Sequence, residues 1–121
     1  MTELNELDKL RTMLTDAGIP FESKQQLIDP KYYDIYDCYQ YSGPAGKWQR
    51  NQVIYGMTEG YGWLWDGICQ YGSYGADKGL IESWGELVKS EPGSGGVQVV
   101  TAEEAFEVIK SHYDEVHNGQ V

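Results

Sequence analysis

The chain has 121 residues, a net charge of −10 at pH 7 and 40% hydrophobic residues. This length suits a single domain, 1–121, and the composition excludes an intrinsically disordered chain, which would be richer in charge and poorer in apolar residues. The negative charge disfavours direct binding to nucleic acid or to anionic membranes, because both are bound through Lys and Arg. The sequence shows no signal peptide and no membrane-spanning apolar run, so we expect a cytoplasmic protein.

The first predicted element is an amphipathic helix over about residues 3–17. Its apolar face recurs at three- and four-residue steps: Leu4, Leu7, Leu10, Met13 and Leu14. Thr2 is expected to cap the start of this helix. Gly18, followed by Pro20, is expected to end it.

Between residues 32 and 71 the periodicity changes to that of β-strands. Alternation predicts strands over 32–41, 48–57 and 61–71, with the first two joined in a hairpin by the loop 42–46. A short helix is predicted next, because apolar residues return to helical spacing at Leu80, Ile81, Trp84, Leu87 and Val88. Residues 97–100 are expected to form an edge strand.

The last predicted element is a second helix, from Ala102 to about His117. Thr101 and Glu104 have the spacing of a capping box, in which each side chain accepts from the backbone N–H of the other residue. The order of elements predicts an α+β fold. In it, an antiparallel β-meander of three to four strands carries the N- and C-terminal helices packed on one face.

Aromatic rings are the main candidates for function. The chain has ten Tyr and four Trp against two Phe, so most rings carry a polar group. Such rings can stack on a ligand or on a partner's side chains at low entropic cost. The candidate ligand- or partner-binding residues are Tyr61, Trp63, Trp65, Tyr71 and Tyr74. The alternative is that most of them fill the core of the sheet, as we expect of Trp48 and Trp84.

Catalysis has weaker support in the sequence. Four carboxylates lie among the aromatic residues: Asp34, Asp37, Glu59 and Asp66. A pair of them facing one cleft could perform acid–base chemistry if burial separated their pKa values. We instead expect them to be solvent-facing strand residues that discourage aggregation at sheet edges. No catalytic residue is therefore assigned.

Metal and redox chemistry are not predicted either. His112 and His117 are five residues apart, which does not place two ligands on one helix face, and we expect both at the surface. Cys38 and Cys69 form no ligand motif and are expected to be reduced, partly buried thiols. We predict no metal and no cofactor.

Acidic side chains crowd both predicted helices: Glu3, Glu6, Asp8, Glu103, Glu104, Glu107, Asp114 and Glu115. Such a face could imitate the phosphates of a nucleic acid and occupy a basic groove on a partner. It could equally be an ordinary solvated helix face.

Four segments resemble small uncharacterised proteins encoded by phages and prophages of Firmicutes. They are residues 14–20 (LTDAGIP), 73–75 (SYG), 79–85 (GLIESWG) and 100–109 (VTAEEAFEVI). The resemblance implies a cytosolic accessory protein of a mobile element and brings no established site residues. Small acidic proteins of such elements often act by binding, either to inhibit a host defence enzyme or to sequester a signalling nucleotide.

The leading hypothesis is therefore a small acidic cytosolic binding protein that engages, and could inhibit, a host protein. The alternative is a protein that binds or sequesters a nucleotide or sugar through an aromatic face. An enzyme with a carboxylate acid–base pair ranks third. A homodimer is compatible with the sequence, which does not determine the oligomeric state.

Overall fold

The computed structural model describes residues 5–32, 48–58, 62–89 and 96–118. Within these ranges one antiparallel sheet contains five strands, and their spatial order is their order in the chain. The strands are β1 (Glu22–Leu27), β2 (Trp48–Thr58), β3 (Gly62–Ile68), β4 (Ile81–Trp84) and β5 (Gln98–Val100). The helices are α1 (Glu6–Asp16) and α2 (Ala102–Asn118), with short 3₁₀ helices at Pro30–Tyr32 and Ala76–Lys78. The predicted α+β meander is confirmed, with five strands where three to four were expected.

The main core lies between the two helices and one face of the sheet. Helix α1 buries Leu7, Leu10 and Leu14, and helix α2 buries Ala102, Ala105 and Ile109. The sheet contributes residues that alternate along their strands and therefore share one face: Val53, Tyr55, Trp65, Ile81 and Val100. Neither described helix is long and apolar enough to cross a membrane.

Helix α1 starts later than the sequence predicted. Its N-cap is Asn5, whose side-chain oxygen accepts a 2.9 Å hydrogen bond from the N–H of Asp8. Thr2, the expected cap, lies outside the described residues. The predicted stop is confirmed: Gly18 has a φ of 72°, a left-handed conformation that glycine adopts readily, and the next residue, Ile19, donates its N–H to the carbonyl of Leu14.

The capping box of helix α2 is confirmed in both directions. The N–H of Glu104 donates to Oγ1 of Thr101 (3.3 Å), and the N–H of Thr101 donates to Oε1 of Glu104 (3.0 Å). A second carboxylate comes from helix α1, because Oε1 of Glu6 accepts from the N–H of Ala102 at 3.1 Å. Glu6 therefore fixes the start of one helix to the start of the other.

The short helix predicted around residues 80–88 is wrong. Residues Ile81–Trp84 form strand β4, which pairs with β3 on one side and β5 on the other. Ile81 and Ser83 are buried, whereas Glu82 and Trp84 are half-buried, which is the alternation of a strand. Over so short a run, the apolar residues fit the spacing of a helix as well as that of a strand. The segment is a strand because it is hydrogen-bonded to β3 and β5 on its two sides.

Two further differences concern the first half of the chain. Strand β1 was not predicted, because its sequence ESKQQL is polar and all six residues are exposed. It forms by pairing along β2, from Glu22 opposite Ile54 to Leu27 opposite Trp48. Of the strand predicted over 32–41, Tyr32 ends a 3₁₀ helix and the rest lies outside the described residues, as does the loop 42–46.

The indole of Trp65 lies over Gly67, two residues further along the same strand. A Cβ atom at position 67 would lie 2.2 Å from Cη2 of the indole and 2.8 Å from Cγ2 of Ile81. Glycine is therefore required here for close packing, which agrees with its expected use in a strand. The buried indole of Trp65 thus occupies the space over Gly67 that a side chain there would need.

Candidate functional site: a cleft beside helix α2

The predicted aromatic residues that the structure describes differ in their exposure and do not form one surface. Trp65 is 1% exposed and belongs to the core, whereas Tyr74 is 69% exposed in the turn after β3. Tyr71 is half-buried just beyond the end of that strand. Trp63 is described only as a backbone position of β3, opposite Met57, and Tyr61 lies outside the described residues. A binding role for these five residues stays a prediction.

Tyr74 lies beside an exposed residue of strand β5. Its N–H donates to Oε1 of Glu82 (2.8 Å), and Glu82 pairs with Val99 in the β4–β5 ladder. A Cβ at Gly75 would lie 2.7 Å from Val99, so the turn packs against that side chain. Trp48 and Trp84, expected as core anchors, are only half-buried.

A cleft of about 590 Å³ lies between helix α2 and the sheet. Its floor is formed by buried residues of three strands and the helix: Trp65, Ser83, Val100 and Ala105. Leu87 and Val88, in the turn after β4, form one wall, and Val108 of α2 forms the other. This volume lies within the range of pockets that bind small molecules or side chains.

The rim of the cleft is acidic. Helix α2 contributes Glu104, Glu107 and Glu115, all exposed, and the only cationic Lys or Arg among the lining residues described is Lys89. Glu104 is also engaged in the capping box. In the ranges that the structure covers, neither Glu107 nor Glu115 forms an ion pair.

His112 lines the cleft and is held by Tyr55. The Tyr55 hydroxyl and Nδ1 of His112 are hydrogen-bonded at 2.7 Å, and the two rings meet edge to face with centroids 5.6 Å apart. Burial, with the nearby Tyr113 adding to it, raises the pKa of Tyr55, so this phenol stays neutral at physiological pH. The direction of this hydrogen bond depends on the imidazole tautomer: Nδ1 accepts from the phenol when the proton is on Nε2, and it donates to the phenol oxygen when the proton is on Nδ1.

Asp66 corrects the expectation of solvent-facing carboxylates. It is fully buried, and Nε2 of Gln52 donates to both of its carboxylate oxygens, at 2.9 and 3.0 Å. It alternates with Trp65 and Gly67 and so lies on the sheet face away from the helices, outside the cleft. The other three carboxylates, Asp34, Asp37 and Glu59, lie outside the described residues.

The described cysteine is reduced, as expected. Cys69 is a free, fully buried thiol, and burial raises its pKa to about 12, which makes it unreactive near neutral pH. Cys38 lies outside the described residues.

The two histidines differ in exposure. His117 is exposed and stacks on Tyr113 with ring centroids 3.9 Å apart, whereas His112 is half-buried rather than at the surface. The part of the chain that the structure describes contains no group of three or more potential metal ligands.

Sequence reasoning missed the cleft itself. Leu87 and Val88 were assigned to the core face of a helix that does not form. Val108 carried a usable signal, because it is an apolar residue of α2 that falls outside the buried stripe of Ala105 and Ile109. Its exposed fraction is 38%. Single exposed apolar residues are common on protein surfaces, so Val108 indicates a site only together with Leu87 and Val88 on the other wall of the cleft.

Comparison with known proteins gives no assignment for this cleft. A scan against protein-family models found no match, and searches of curated proteins and of solved structures found none either.

Proposed function

We propose that this chain is a binding protein that receives apolar side chains of a partner protein in the cleft beside helix α2. The observation that carries the proposal is an apolar floor of Trp65, Val100 and Ala105 that opens next to the exposed Val108. Such a depression offers a partner a place to bury an anchor residue, and anchors of this kind dominate binding energy at protein interfaces.

Binding is favoured over catalysis by the chemistry of the lining. The hydroxyl of Ser83 donates to the carbonyl of Gln98 at 2.7 Å, and His112 is hydrogen-bonded to Tyr55. Neither arrangement resembles a nucleophile with its own general base. The side chains of the described lining are therefore better suited to packing and to charge recognition than to bond making.

The resemblance to phage and prophage proteins supports a host protein as the partner. The two proteins would then bind each other in the cytosol. Binding at the cleft could then inhibit that protein by covering part of its surface. The strongly negative charge of the chain, −10, is compatible with a basic surface on the partner.

Site-specific photo-crosslinking in a Firmicutes host tests this proposal. Val108 is replaced with p-benzoylphenylalanine, and Val116, on the same helix but outside the cleft, receives the same substitution as the control. The two valines are 38% and 41% exposed, so the control position matches the test position in exposure. A discrete adduct from position 108 that is missing from position 116 supports the proposal. Equal adducts from both positions, or none from position 108, count against it.

A small organic ligand is a second candidate, favoured by the size of the cleft. The volume of about 590 Å³ lies in the range of small-molecule sites. The acidic rim argues against nucleotides, whose phosphates it would repel, and leaves sugars or cationic compounds. Thermal-shift screening tests it, because a ligand that binds the folded state raises the melting temperature. Stabilisation that Val108→Asp abolishes and Val116→Asp preserves would favour this candidate.

A further inference from the structure

We infer that the segment occupying the cleft is basic, with apolar side chains flanked by Lys or Arg. This inference rests on the proposed function and specifies the chemistry of the partner. It follows from two properties of one site: an apolar floor and a carboxylate rim.

The rim supplies the charge argument. The described lining of the cleft contains three glutamates, all from helix α2, and one lysine. Glu107 and Glu115 are exposed, and within the described ranges no Lys or Arg neutralises them. A cationic group brought to the rim would therefore gain a partner without breaking an existing ion pair. An anionic group would meet repulsion instead, which suppresses the wrong partners.

The nearby Lys110 of helix α2 does not neutralise the glutamates of the rim. Lys110 forms an ion pair with Asp114, one turn along the helix, and neither residue lines the cleft. The charge of the site is thus set by the three glutamates and Lys89. Its sign agrees with that of the whole chain, which steers basic partners from a distance at low ionic strength.

The floor supplies the second requirement. Trp65, Val100 and Ala105 are buried and apolar, and Leu87 and Val88 continue this character up the wall. A segment that is only basic would leave this surface wet and would bind through rim charges alone, which are worth little when exposed. A segment that carries apolar anchors between its basic residues satisfies both parts of the site.

Selection from a random 12-residue peptide display library tests the inference without a known partner. The immobilised full-length protein serves as bait, and clones that also bind the Val108→Asp variant are removed. The Val116→Asp variant is a parallel control that should retain the selected clones, because Val116 does not line the cleft. We expect the remaining clones to combine apolar residues with an excess of Lys and Arg.

The outcomes separate the inference from the proposed function. Clones that require Val108 but are neutral or acidic would overturn the inference and leave the proposed binding site intact. A selection that yields no clone sensitive to Val108→Asp would overturn both. Enriched basic, apolar clones would support both.

A rim variant gives an independent check on the selected peptides. In Glu107→Gln/Glu115→Gln we expect affinity to fall about fivefold, as two exposed charge pairs predict, and to become less dependent on salt. Glu22→Gln, on the exposed strand β1 away from the cleft, is the control for the loss of a glutamate and should leave affinity and salt dependence near those of the wild type. Unchanged affinity and salt dependence in the double variant would contradict charge recognition by the rim.

Discussion

The hydroxyl of Tyr55 lies 2.7 Å from Nδ1 of His112, and this hydrogen bond joins the second strand of the sheet to helix α2. It fixes the imidazole at the wall of the cleft, one turn beyond Val108. The packing of helix α2 on the sheet and the shape of the candidate site therefore depend on the same contact.

Tyr55→Phe should remove this hydrogen bond and destabilise the protein by about 1 kcal/mol, the usual value for such a bond. Urea denaturation monitored by circular dichroism would measure the change. Tyr74→Phe is the control, because that ring is exposed and its hydroxyl should contribute less than about 0.5 kcal/mol. Equal effects of the two substitutions would show that the contact with His112 is not stabilising.

Gly67→Ala should destabilise the fold by about 1–3 kcal/mol, because the new methyl group would collide with the indole of Trp65. A double-mutant cycle with Trp65→Leu identifies the cause. The smaller side chain frees space over position 67, so the cost of the alanine should fall in that background. An unchanged cost would mean that Ile81, whose Cγ2 would lie 2.8 Å from the new methyl group, or the strand backbone resists the substitution rather than the indole.

Glu6→Gln keeps an oxygen that can accept from the Ala102 N–H but loses the negative charge, so it should weaken the junction between the two helix starts by about 1 kcal/mol at neutral pH, the difference between a charged and a neutral acceptor. Burial raises the pKa of Glu6, but the hydrogen bonds from Lys9 and from the Ala102 N–H outweigh it, so this pKa lies below its usual 4.5.

The sign of the pH dependence follows from that lowered pKa. The stabilisation is present above pH 4.5 and is lost as the pH falls through the lower pKa of the folded state. The stabilities of the wild type and of Glu6→Gln should therefore differ at pH 7, and this difference should shrink as the pH falls below 4.5 and disappear below the lower pKa of the folded state. A constant difference across this range would rule out ionised Glu6 as the source.

Cys69 should be inert in the folded protein at pH 8. Its pKa of about 12 leaves almost no thiolate, and its side chain is fully buried. The experiment uses Cys38→Ser, so that Cys69 is the only thiol. Reaction with a chromogenic disulfide should be slow in buffer and rapid in denaturant. Rapid reaction in buffer would contradict the buried position.

The parts of the fold predicted from sequence are those with local signals. Helix α2 follows from the capping pair Thr101 and Glu104, and the end of α1 follows from Gly18. Strand β1 has no such signal, since its polar residues become a strand only by pairing with β2. Strand β4 was mistaken for a helix because Ile81 and Trp84 fit helical spacing, and long-range pairing decides its conformation.

The candidate site was less accessible to sequence reasoning. Trp65 was singled out as an aromatic residue, but its position on the cleft floor depends on Gly67 and on the packing of helix α2. Val108 and Leu87 are far apart in the chain and become opposite walls only through the fold. Alternation showed which residues share a face, whereas the position of the opening depends on how far α2 covers the sheet.

Binding of one selected peptide to three proteins tests the central claim most directly. Isothermal titration calorimetry would compare the wild type, Leu87→Asn in the cleft wall and Val116→Asn outside the cleft, two variants that play no part in the selection, after thermal melts have confirmed that all three are folded. If the cleft is the binding site, Leu87→Asn should weaken binding at least about tenfold, the range of an interface anchor, while Val116→Asn stays near the wild type. Equal affinities for all three proteins would contradict the assignment of the cleft.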